Sequence, residues 1–232
     1  MKKILVTGSN RGIGIEFVRQ FLARGDYVFA GCRNPDSAIE LRRLNDAYPD
    51  RLMIFKLDLE RTDLFDDVEN DISKLTGRLD ILINNAGIYI KNEDLDNLDE
   101  SKMMTAFRIN SIAPILFSRS FINLLKKGRD PKIINISSQM GSLQNKSTGG
   151  DYSYCSSKAA LNMLTRSLAY DIRQLGIIAV TVHPGWVRTD MGGSNAMIDP
   201  SDSVYDMIKL IDRLELNDSS KFFMRDGKIH PW

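Results

Sequence analysis

Cysteine, histidine and long apolar runs are all scarce in this sequence, and each scarcity excludes a class of protein. Two cysteines among 232 residues, Cys32 and Cys155, form no disulfide framework, and together with two histidines they form no metal-ligand pattern. No apolar run reaches the ~20 residues of a membrane-spanning helix, and no signal-peptide core follows the first two lysines. We therefore expect a cytoplasmic protein without a metal, a membrane anchor or disulfide bonds.

An excess of charge of either sign is also missing. Lysine and arginine together number 31 and aspartate and glutamate 30, so the net charge is +1, and both signs are interspersed along the chain. A protein that binds nucleic acid needs a basic patch or stripe, which this pattern does not offer. We expect the partner to be a small molecule, bound by a chain whose 43% hydrophobic residues suffice for a well-buried core.

Short apolar runs alternate with longer amphipathic segments along the whole chain. The apolar runs are rich in Ile, Val, Leu and Phe without clean alternation, as is typical of strands covered on both faces. The pattern predicts a doubly wound α/β fold, with a parallel sheet of seven strands and helices on both of its faces. The predicted strands are Lys3–Val6, Tyr27–Ala30, Leu52–Lys56, Ile81–Ile83, Lys132–Ile136, Ile178–Val182 and Lys221–Met224, and the predicted helices are Gly12–Ala23, Ser37–Ala47, Leu64–Thr76, Lys102–Lys126, Tyr154–Gln174 and Ser203–Arg213.

Two segments rich in glycine, proline and serine interrupt this alternation. Residues 141–150 and 184–203 each follow a predicted strand, which is where α/β sheets place their ligand-binding loops. We interpret them as parts of two substrate loops, at about residues 140–153 and 186–203. Since neither segment is a low-complexity linker, we expect residues 1–232 to form a single domain.

The first predicted strand runs directly into a glycine-rich loop that opens the first helix. Glycines let a backbone approach a pyrophosphate closely, and a helix N-terminus supplies free N–H groups and a partial positive charge. A tight structural turn is the alternative interpretation. The position between strand and helix favours a dinucleotide site built from Gly8, Ser9, Asn10, Arg11, Gly12, Ile13 and Gly14.

A tyrosine and a lysine four residues apart begin a long helical pattern, in the sequence Tyr154-Cys-Ser-Ser-Lys158. At this spacing the two side chains share one face of a helix. A neighbouring ammonium favours the phenolate, so we expect the pKa of Tyr154 to lie below the usual value of ~10. Such a tyrosine can exchange a proton with an alcohol or a carbonyl near neutral pH.

These motifs together resemble the short-chain dehydrogenase/reductase family, and the match covers nearly the whole chain in the correct order. Residues 7–14 have the form T-G-x-x-x-G-x-G, residues 84–87 match the N-N-A-G motif, and Pro184-Gly185 with Thr189 matches the P-G…T segment. The resemblance implies a Rossmann fold, a nicotinamide cofactor and an oxidoreductase activity. It also implies a catalytic set of Ser138, Tyr154, Lys158 and Asn110.

The resemblance assigns roles to individual residues. Lys158 would hydrogen-bond the ribose hydroxyls and Asn110 a water that relays protons, although Pro114 also permits a simple kink near Asn110. A purely structural role is an equal alternative for Asn84 and Asn85, because buried amides usually satisfy the backbone. Besides the glycine-rich loop, the predicted cofactor contacts are Arg33, Asp58, Leu59, Asn84, Ala86, Gly87, Tyr154, Lys158, Pro184, Gly185, Val187 and Thr189.

Ser138 would hydrogen-bond the substrate oxygen and stabilise the charge that develops there. Its choice over Ser137 follows the family pattern, in which the second serine of the pair is catalytic. The gap from Ser138 to Tyr154 is about three residues longer than usual for the family. The extra residues fall in the first predicted substrate loop, so we expect the edge of the substrate pocket to differ.

The residues after the second predicted strand favour NADP(H) over NAD(H). A fold that prefers NAD places a carboxylate there to hold the ribose 2′-hydroxyl, but here Cys32 and Arg33 follow the strand. Arg33 and Arg11 can hold a 2′-phosphate through charge-assisted hydrogen bonds. Arginines that are merely solvated are the alternative.

The insert before Tyr154 and the C-terminal segment 222–232 resemble one subgroup of the family, the Sniffer-type carbonyl reductases and the C-factor-like proteins. This resemblance implies an NADPH-dependent reductase of aldehydes, ketones or quinones. The alternative is a cofactor-binding regulatory or intercellular signalling protein on the same fold. Apolar residues outside one stripe of two long helices, such as Ile112 and Met163, predict a homodimer or homotetramer.

Overall fold

The apolar runs of the sequence lie side by side in one sheet, in a computed structural model that describes all of residues 1–232. Their order is β3-β2-β1-β4-β5-β6-β7, and every neighbouring pair is parallel. The predicted seven-stranded parallel sheet of a Rossmann-type α/β fold is therefore confirmed. The strands are β1 (Lys3–Thr7), β2 (Tyr27–Cys32), β3 (Leu52–Lys56), β4 (Ile81–Asn84), β5 (Lys132–Ile136), β6 (Ile178–His183) and β7 (Phe222–Met224).

Helices connect the strands and cover both faces of the sheet. No helix in the structure is both long and apolar enough to span a bilayer. The helices are α1 (Gly12–Ala23), α2 (Ile39–Ala47), α3 (Phe65–Leu75), α4 (Glu100–Phe107), α5 (Ala113–Ser120), α6 (Ile122–Leu125), α7 (Tyr152–Ile172) and α8 (Pro200–Arg213).

Successive side chains of each strand enter two separate hydrophobic cores, which explains why the strands show no polar alternation. On β1, Ile4 and Val6 belong to the core beneath α1, α2 and α8, whereas Leu5 belongs to the core beneath α3, α5 and α7. Aromatic residues fill the second core, where the rings of Phe65 and Phe117 meet edge to face at 5.0 Å. Both cores exclude water, so the strands serve as a rigid frame for the loops at their ends.

The sequence predicts one continuous helix over residues 102–126, and this prediction is wrong. The segment breaks into α4, a π-helical turn at Arg108–Ile112, α5 and α6. Pro114 has no N–H group, so the Asn110 carbonyl receives no hydrogen bond from four residues ahead. The N–H of Ala113 bonds instead to the Arg108 carbonyl, five residues back. The kink that the sequence permitted is thus a π-bulge, a feature often found at functional sites.

The chain reverses its direction across the sheet between β1 and β4, because β2 and β3 lie on one side of β1 and the later strands on the other. In open α/β sheets such a reversal opens a crevice at the carboxyl ends of the strands. It brings the loop after β1, at Gly8, beside the N-N-A-G motif after β4. Although Gly8 and Asn85 are 77 residues apart in sequence, the Asn85 side-chain amide donates a hydrogen bond to the Gly8 carbonyl.

Candidate active site

A cavity of about 990 Å³ follows the carboxyl edge of the sheet. Each strand from β1 to β6 contributes to it a residue directly beyond its end: Gly8, Arg33, Leu57, Asn85, Ser137 and Pro184. Most of the predicted cofactor residues line this cavity, namely Gly8, Asn10, Arg11, Gly12, Ile13, Arg33, Asp58, Leu59, Ala86, Gly87, Tyr154, Lys158, Pro184 and Thr189. Seven predicted site residues do not line it: Ser9, Gly14, Asn84, Asn110, Ser138, Gly185 and Val187.

The glycine-rich loop after β1 is shaped by close backbone contacts. Gly8 has a φ of 65°, and a Cβ atom there would lie 2.8 Å from the Cα atom of Ala86. A Cβ atom on Gly14 would collide with the Gly8 carbonyl. Ser9 is fully buried, and its N–H donates to the Gly31 carbonyl at 3.1 Å. Gly14 and Ser9 therefore shape the loop from behind, while Gly8 faces the cavity.

The two asparagines of the N-N-A-G motif point in different directions. Asn84 is buried, and its amide donates to Asn135 Oδ1 at 2.7 Å and to Ser118 Oγ at 2.9 Å. Asn85 lines the cavity, and its amide donates to the Thr7 carbonyl at 3.0 Å. Asn84 thus ties β4 to the neighbouring strand and helix, away from the cavity, and the geometry favours the structural alternative for it. Asn85 holds the end of β1 beside the glycine-rich loop.

The end of β2 carries cations and no carboxylate. Arg33 lines the cavity together with Asn34 and Ser37. Arg11 reaches across the cavity to Asp190, with 2.8 Å between guanidinium and carboxylate, and both side chains are largely exposed. An exposed ion pair of this kind contributes little free energy. Arg11 can therefore exchange this partner for a bound anion at small cost.

The loop after β6 folds back on itself. Gly185 and Val187 lie against Ile198, and Val187 forms a parallel bridge with it. Thr189 faces the cavity, and its hydroxyl accepts the Gly192 N–H at 3.1 Å. In this arrangement Gly185 and Val187 fix the course of the second predicted substrate loop, and Pro184 and Thr189 are the members of the P-G…T segment that a ligand can reach.

Tyr154 and Lys158 lie on one face of α7 and line the same wall of the cavity. The Lys158 ammonium lies 5.8 Å from the centre of the Tyr154 ring. It donates a hydrogen bond of 2.9 Å to the carbonyl of Ile136, at the end of β5. Lys158 is buried, and no carboxylate pairs with it. The shared face follows from the four-residue spacing, as the sequence predicts.

The prediction of a lowered tyrosine pKa is wrong. Burial disfavours the charged phenolate and raises the pKa of Tyr154 to about 12, and the nearby hydroxyl of Ser138 offsets this only in part. Burial likewise disfavours the ammonium and lowers the pKa of Lys158 to about 8. The spacing predicted the neighbour correctly, but burial dominates the pKa of each group. Tyr154 consequently holds its proton at neutral pH.

Ser138 and Asn110 lie near this pair but do not line the cavity. The hydroxyl of Ser138 lies close enough to Tyr154 to lower its pKa, and its Oγ accepts the Met140 N–H at 3.2 Å. The Asn110 side chain accepts the N–H of Ile88 at 2.8 Å and donates to the carbonyl of the same residue at 2.9 Å. Because that side chain is occupied, a role for Asn110 in proton relay rests on its backbone carbonyl, which Pro114 leaves without a helical donor.

Comparison with known proteins identifies the family. A family model described as short chain dehydrogenase matches residues 2–197. The chain belongs to the short-chain dehydrogenase family. An NADPH-bound carbonyl reductase from chicken fatty liver is 38% identical with a TM-score of 0.95, over 100% of this chain and 99% of that one. The carbonyl reductase Sniffer of D. melanogaster is 34% identical with a TM-score of 0.96, over 100% of both chains.

The C-signal protein of Myxococcus xanthus is 41% identical over 157 residues, which cover 68% of this chain and 95% of that protein. The predicted resemblance to Sniffer-type reductases and to C-factor-like proteins within the short-chain dehydrogenase family is thereby confirmed. An uncharacterized oxidoreductase of Schizosaccharomyces pombe is 28% identical over 100% of this chain and 98% of that protein.

Two side chains that no family motif marks lie at the start of α7, where the candidate proton donor of this short-chain dehydrogenase is located. The ring of Tyr89 packs edge to face on Tyr154 at 5.0 Å, and its hydroxyl donates to Asp151 at 2.6 Å. Glu93 is buried at the start of α7. Tyr89 comes two residues after the N-N-A-G motif, which is a signal the sequence offered, whereas nothing local to Glu93 distinguishes it from a surface acid.

A second cavity of about 300 Å³ lies along the first predicted substrate loop. It borders α7 on the side of Cys155, which follows the candidate proton donor in sequence. The Lys146 ammonium reaches Cys155 Sγ at 3.4 Å and the Gly150 carbonyl at 3.1 Å, so the insert is anchored to the helix. The longer loop therefore builds a wall beside the site without displacing Tyr154.

Proposed function

We propose that the protein is an NADPH-dependent carbonyl reductase, which transfers hydride reversibly between NADP(H) and an aldehyde, a ketone or a quinone. The observation that carries the proposal is a half-buried, protonated Tyr154 beside Lys158 and Ser138, at the wall of a cavity that begins with a glycine-rich loop. The similarity to solved carbonyl reductases supports the substrate class.

The residues of the cavity fit NADP(H). The glycine-rich loop, where a side chain at Gly8 would clash with Ala86, leads into the N-terminus of α1, whose free N–H groups would bind a pyrophosphate. Arg33 and Arg11 supply the cations for a 2′-phosphate where an NAD-preferring fold would have an acid. Asp58, Leu59 and Thr189 line the cavity, and the first two would contact the adenine and Thr189 the nicotinamide carboxamide. When bound, the reduced nicotinamide supplies the hydride.

Tyr154 acts as the proton donor in carbonyl reduction. Its raised pKa keeps it protonated, so it gives its proton to the carbonyl oxygen as negative charge develops there. Ser138 does not line the cavity, so its hydroxyl would have to turn towards the cavity to donate to the same oxygen. The Lys158 ammonium stabilises the phenolate that remains. The backbone carbonyl of Asn110, which Pro114 deprives of its usual helical donor, would hold the water through which the proton is replaced.

The test is Tyr154→Phe, assayed by NADPH oxidation with a panel of aldehydes, ketones, diketones and quinones. Loss of the proton donor should lower kcat by about a thousandfold, since general acid catalysis contributes on this scale. The dissociation constant for NADPH should stay within about twofold, because uniform binding is retained. The control is Tyr152→Phe, an exposed tyrosine of the same helix turn. Equal turnover by wild type and Tyr154→Phe would contradict the mechanism.

The cofactor preference has its own test in Arg33→Asp. The variant should lower the NADPH to NADH ratio of kcat/KM by at least about tenfold, because it replaces a phosphate-binding cation with an acid that suits a 2′-hydroxyl. Arg42→Asp, an exposed arginine outside the cavity, serves as the control for the same change of charge. An unchanged ratio in Arg33→Asp would refute the assignment of Arg33.

A second candidate function is a cofactor-binding regulatory or signalling protein. The similarity to the C-signal protein favours it. The two functions differ in what they require of Tyr154, because a binding module needs no proton donor. If NADPH binds but no carbonyl compound in the panel is turned over, the signalling function gains and the reductase is rejected.

We infer a homodimer or homotetramer from apolar side chains on the outer faces of α4 and α7. Met104, Met163 and Tyr170 are each more than half exposed, at 58%, 65% and 59%. Together with Ile112 they leave an apolar face that a second copy can cover. Light scattering should give a dimeric or tetrameric mass, which Met163→Glu lowers, and a monomeric wild type would contradict the inference. A cytoplasmic location stays a prediction.

A further inference from the structure

The segment at residues 88–93 links the cofactor motif to the helix of the proton donor. It follows Gly87 directly, and its first residue, Ile88, is held through both its N–H and its carbonyl by the side chain of Asn110. Its last residue, Glu93, lies at the start of α7. The segment thus has two fixed ends, one at the π-helical turn and one beside Tyr154.

Glu93 is held at that second end by three hydrogen bonds. It is only 6% exposed, and its carboxylate accepts the Ser153 N–H at 2.6 Å and the Ser153 hydroxyl. Its backbone carbonyl accepts the Asp151 N–H at 3.0 Å. No lysine or arginine forms an ion pair with it. A buried carboxylate without a cation costs free energy, which these N–H and O–H donors offset.

The start of α7 explains why an outside carboxylate is needed. The first N–H groups of a helix have no partner within it, and the residue before the helix usually supplies one. Here that residue is Asp151, with a φ of 53°, and its side chain makes no capping hydrogen bond. The Asp151 carboxylate accepts the Tyr89 hydroxyl instead. Glu93, which is 60 residues away from Ser153 in sequence, takes over the capping role.

We propose that Glu93 is a positioning residue that sets the place of Tyr154 by capping α7 from outside the helix. Tyr154 follows Ser153 directly, and the ring of Tyr89 packs on its other side. The negative charge of Glu93 also complements the positive end of the helix dipole. This role rests on the proposed function of Tyr154 as proton donor. It also joins that donor to the N-N-A-G motif through six residues of chain.

The kinetic test is Glu93→Gln, which keeps the shape of the side chain but removes its charge and one acceptor. We expect kcat to fall between about tenfold and a hundredfold, because a small misplacement of a catalytic group has effects of this size. The dissociation constant for NADPH should change by less than about twofold. Glu100→Gln, an exposed glutamate in the first turn of α4, is the matched control. A kcat equal to that of wild type overturns the proposal.

A double variant separates positioning from general loosening of the protein. Ser153→Ala removes the hydroxyl that Glu93 accepts. If the two residues act as one unit, Glu93→Gln and Ser153→Ala together should lower kcat no more than the stronger single change does. If the fall in kcat of the double variant equals the product of the two single falls, the proposal is overturned. Should Glu93→Gln fail to fold, Ser153→Ala alone must show the fall in kcat with unchanged NADPH binding.

An activity-independent readout keeps this proposal distinct from the proposed function. Cys155 is buried in the first turn of α7, and Cys32 is buried at the end of β2, far along the cavity. Loss of the cap should raise the alkylation rate of Cys155 by N-ethylmaleimide about tenfold relative to Cys32, because the first turn opens more often. Peptide mass spectrometry measures both rates in one sample. Equal relative rates overturn the positioning role, and a wild type without carbonyl turnover rejects only the reductase.

Discussion

Two buried charged residues at opposite edges of the parallel sheet, Asp80 and Lys158, differ in the number of their hydrogen-bond partners. At the edge where the strands begin, Asp80 is completely buried and accepts the backbone N–H groups of Lys3 at 2.7 Å and Arg129 at 2.6 Å, and the Arg78 guanidinium at 3.2 Å. At the edge where the strands end, Lys158 is buried with a single carbonyl as its partner. The charge of Asp80 is therefore surrounded by three donors, whereas that of Lys158 has one neutral acceptor.

This difference separates stability from chemistry within one fold. A charge that several donors surround is stable as an ion and anchors the elements that supply the donors. A charge that is buried without a counter-ion shifts its pKa and destabilises the folded state, which active sites tolerate because the shifted group can then exchange protons. Tyr154 and Lys158, whose pKa values burial shifts, both line the cavity at the edge where the strands end, whereas the desolvated Lys132 at the opposite edge is paired with Asp130.

The largest expected effect on folding comes from Asp80, at the edge where the strands begin. Asp80→Asn should lower the free energy of unfolding by ~2–4 kcal/mol, because the amide replaces an acceptor oxygen with a donor that faces two buried N–H groups. Urea denaturation measures the change, and the variant should keep wild-type kcat below its unfolding transition. Asp63→Asn, which breaks only an exposed pair with Arg61, should have no measurable effect. Equal stability of Asp80→Asn and wild type would contradict the comparison.

The opposite edge should respond with the opposite sign. Lys158→Met removes an ammonium whose pKa is lowered to about 8 in the folded protein, against an ordinary value of ~10.4. This shift corresponds to ~3 kcal/mol, from which the lost hydrogen bond to Ile136 subtracts ~1 kcal/mol. We expect the variant to be inactive but more stable than wild type by ~1–2 kcal/mol at pH 7.

The pH dependence checks the cause of that stabilisation. Between pH 8 and ~10.4 the unfolded chain still binds the lysine proton that the folded chain has released, so the stability of wild type rises with pH in this window. The gain in the free energy of unfolding of Lys158→Met over wild type therefore has its full value below pH 8 and vanishes above ~10.4. Urea denaturation of both proteins at pH 7 and pH 10 measures it. An advantage that is constant with pH would show that packing, and not charge, is responsible.

Local patterns in the sequence predicted the frame and the parts of the site that depend on local spacing. The apolar runs gave the seven strands, since a strand covered on both faces needs an uninterrupted run. The glycine positions gave the loop after β1, and the four-residue spacing placed Tyr154 and Lys158 on one face. These features depend on residues that are close in sequence, so no knowledge of distant contacts was needed.

The features that the sequence did not reveal depend on distant contacts. The pKa of Tyr154 is raised because surrounding elements exclude water from it, which no spacing encodes. The break in the predicted 102–126 helix needed the contact between Asn110 and Ile88 as well as the visible Pro114. The division of roles between Asn84 and Asn85 depends on which side of β4 each one faces. The cap that Glu93 supplies to Ser153 joins residues that are 60 positions apart in sequence, so no local pattern could predict it.

The smallest expected effect comes from a second desolvated group at the edge where the strands end. His183 is buried at the end of β6, its Nδ1 atom has no hydrogen-bond partner, and burial lowers its pKa to about 4, with contributions from His230 and Arg225. Below the ordinary value of ~6.5 the unfolded chain binds a proton that the folded chain does not, so wild type loses stability as the pH falls from 6.5 towards 4. The loss should be ~1 kcal/mol at pH 5.5, and His183→Gln should remove it. Urea denaturation at pH 7 and pH 5.5 measures both proteins. If their stabilities fall in parallel, His183 is not a desolvated group, and the contrast between the two edges is limited to the wall formed by α7.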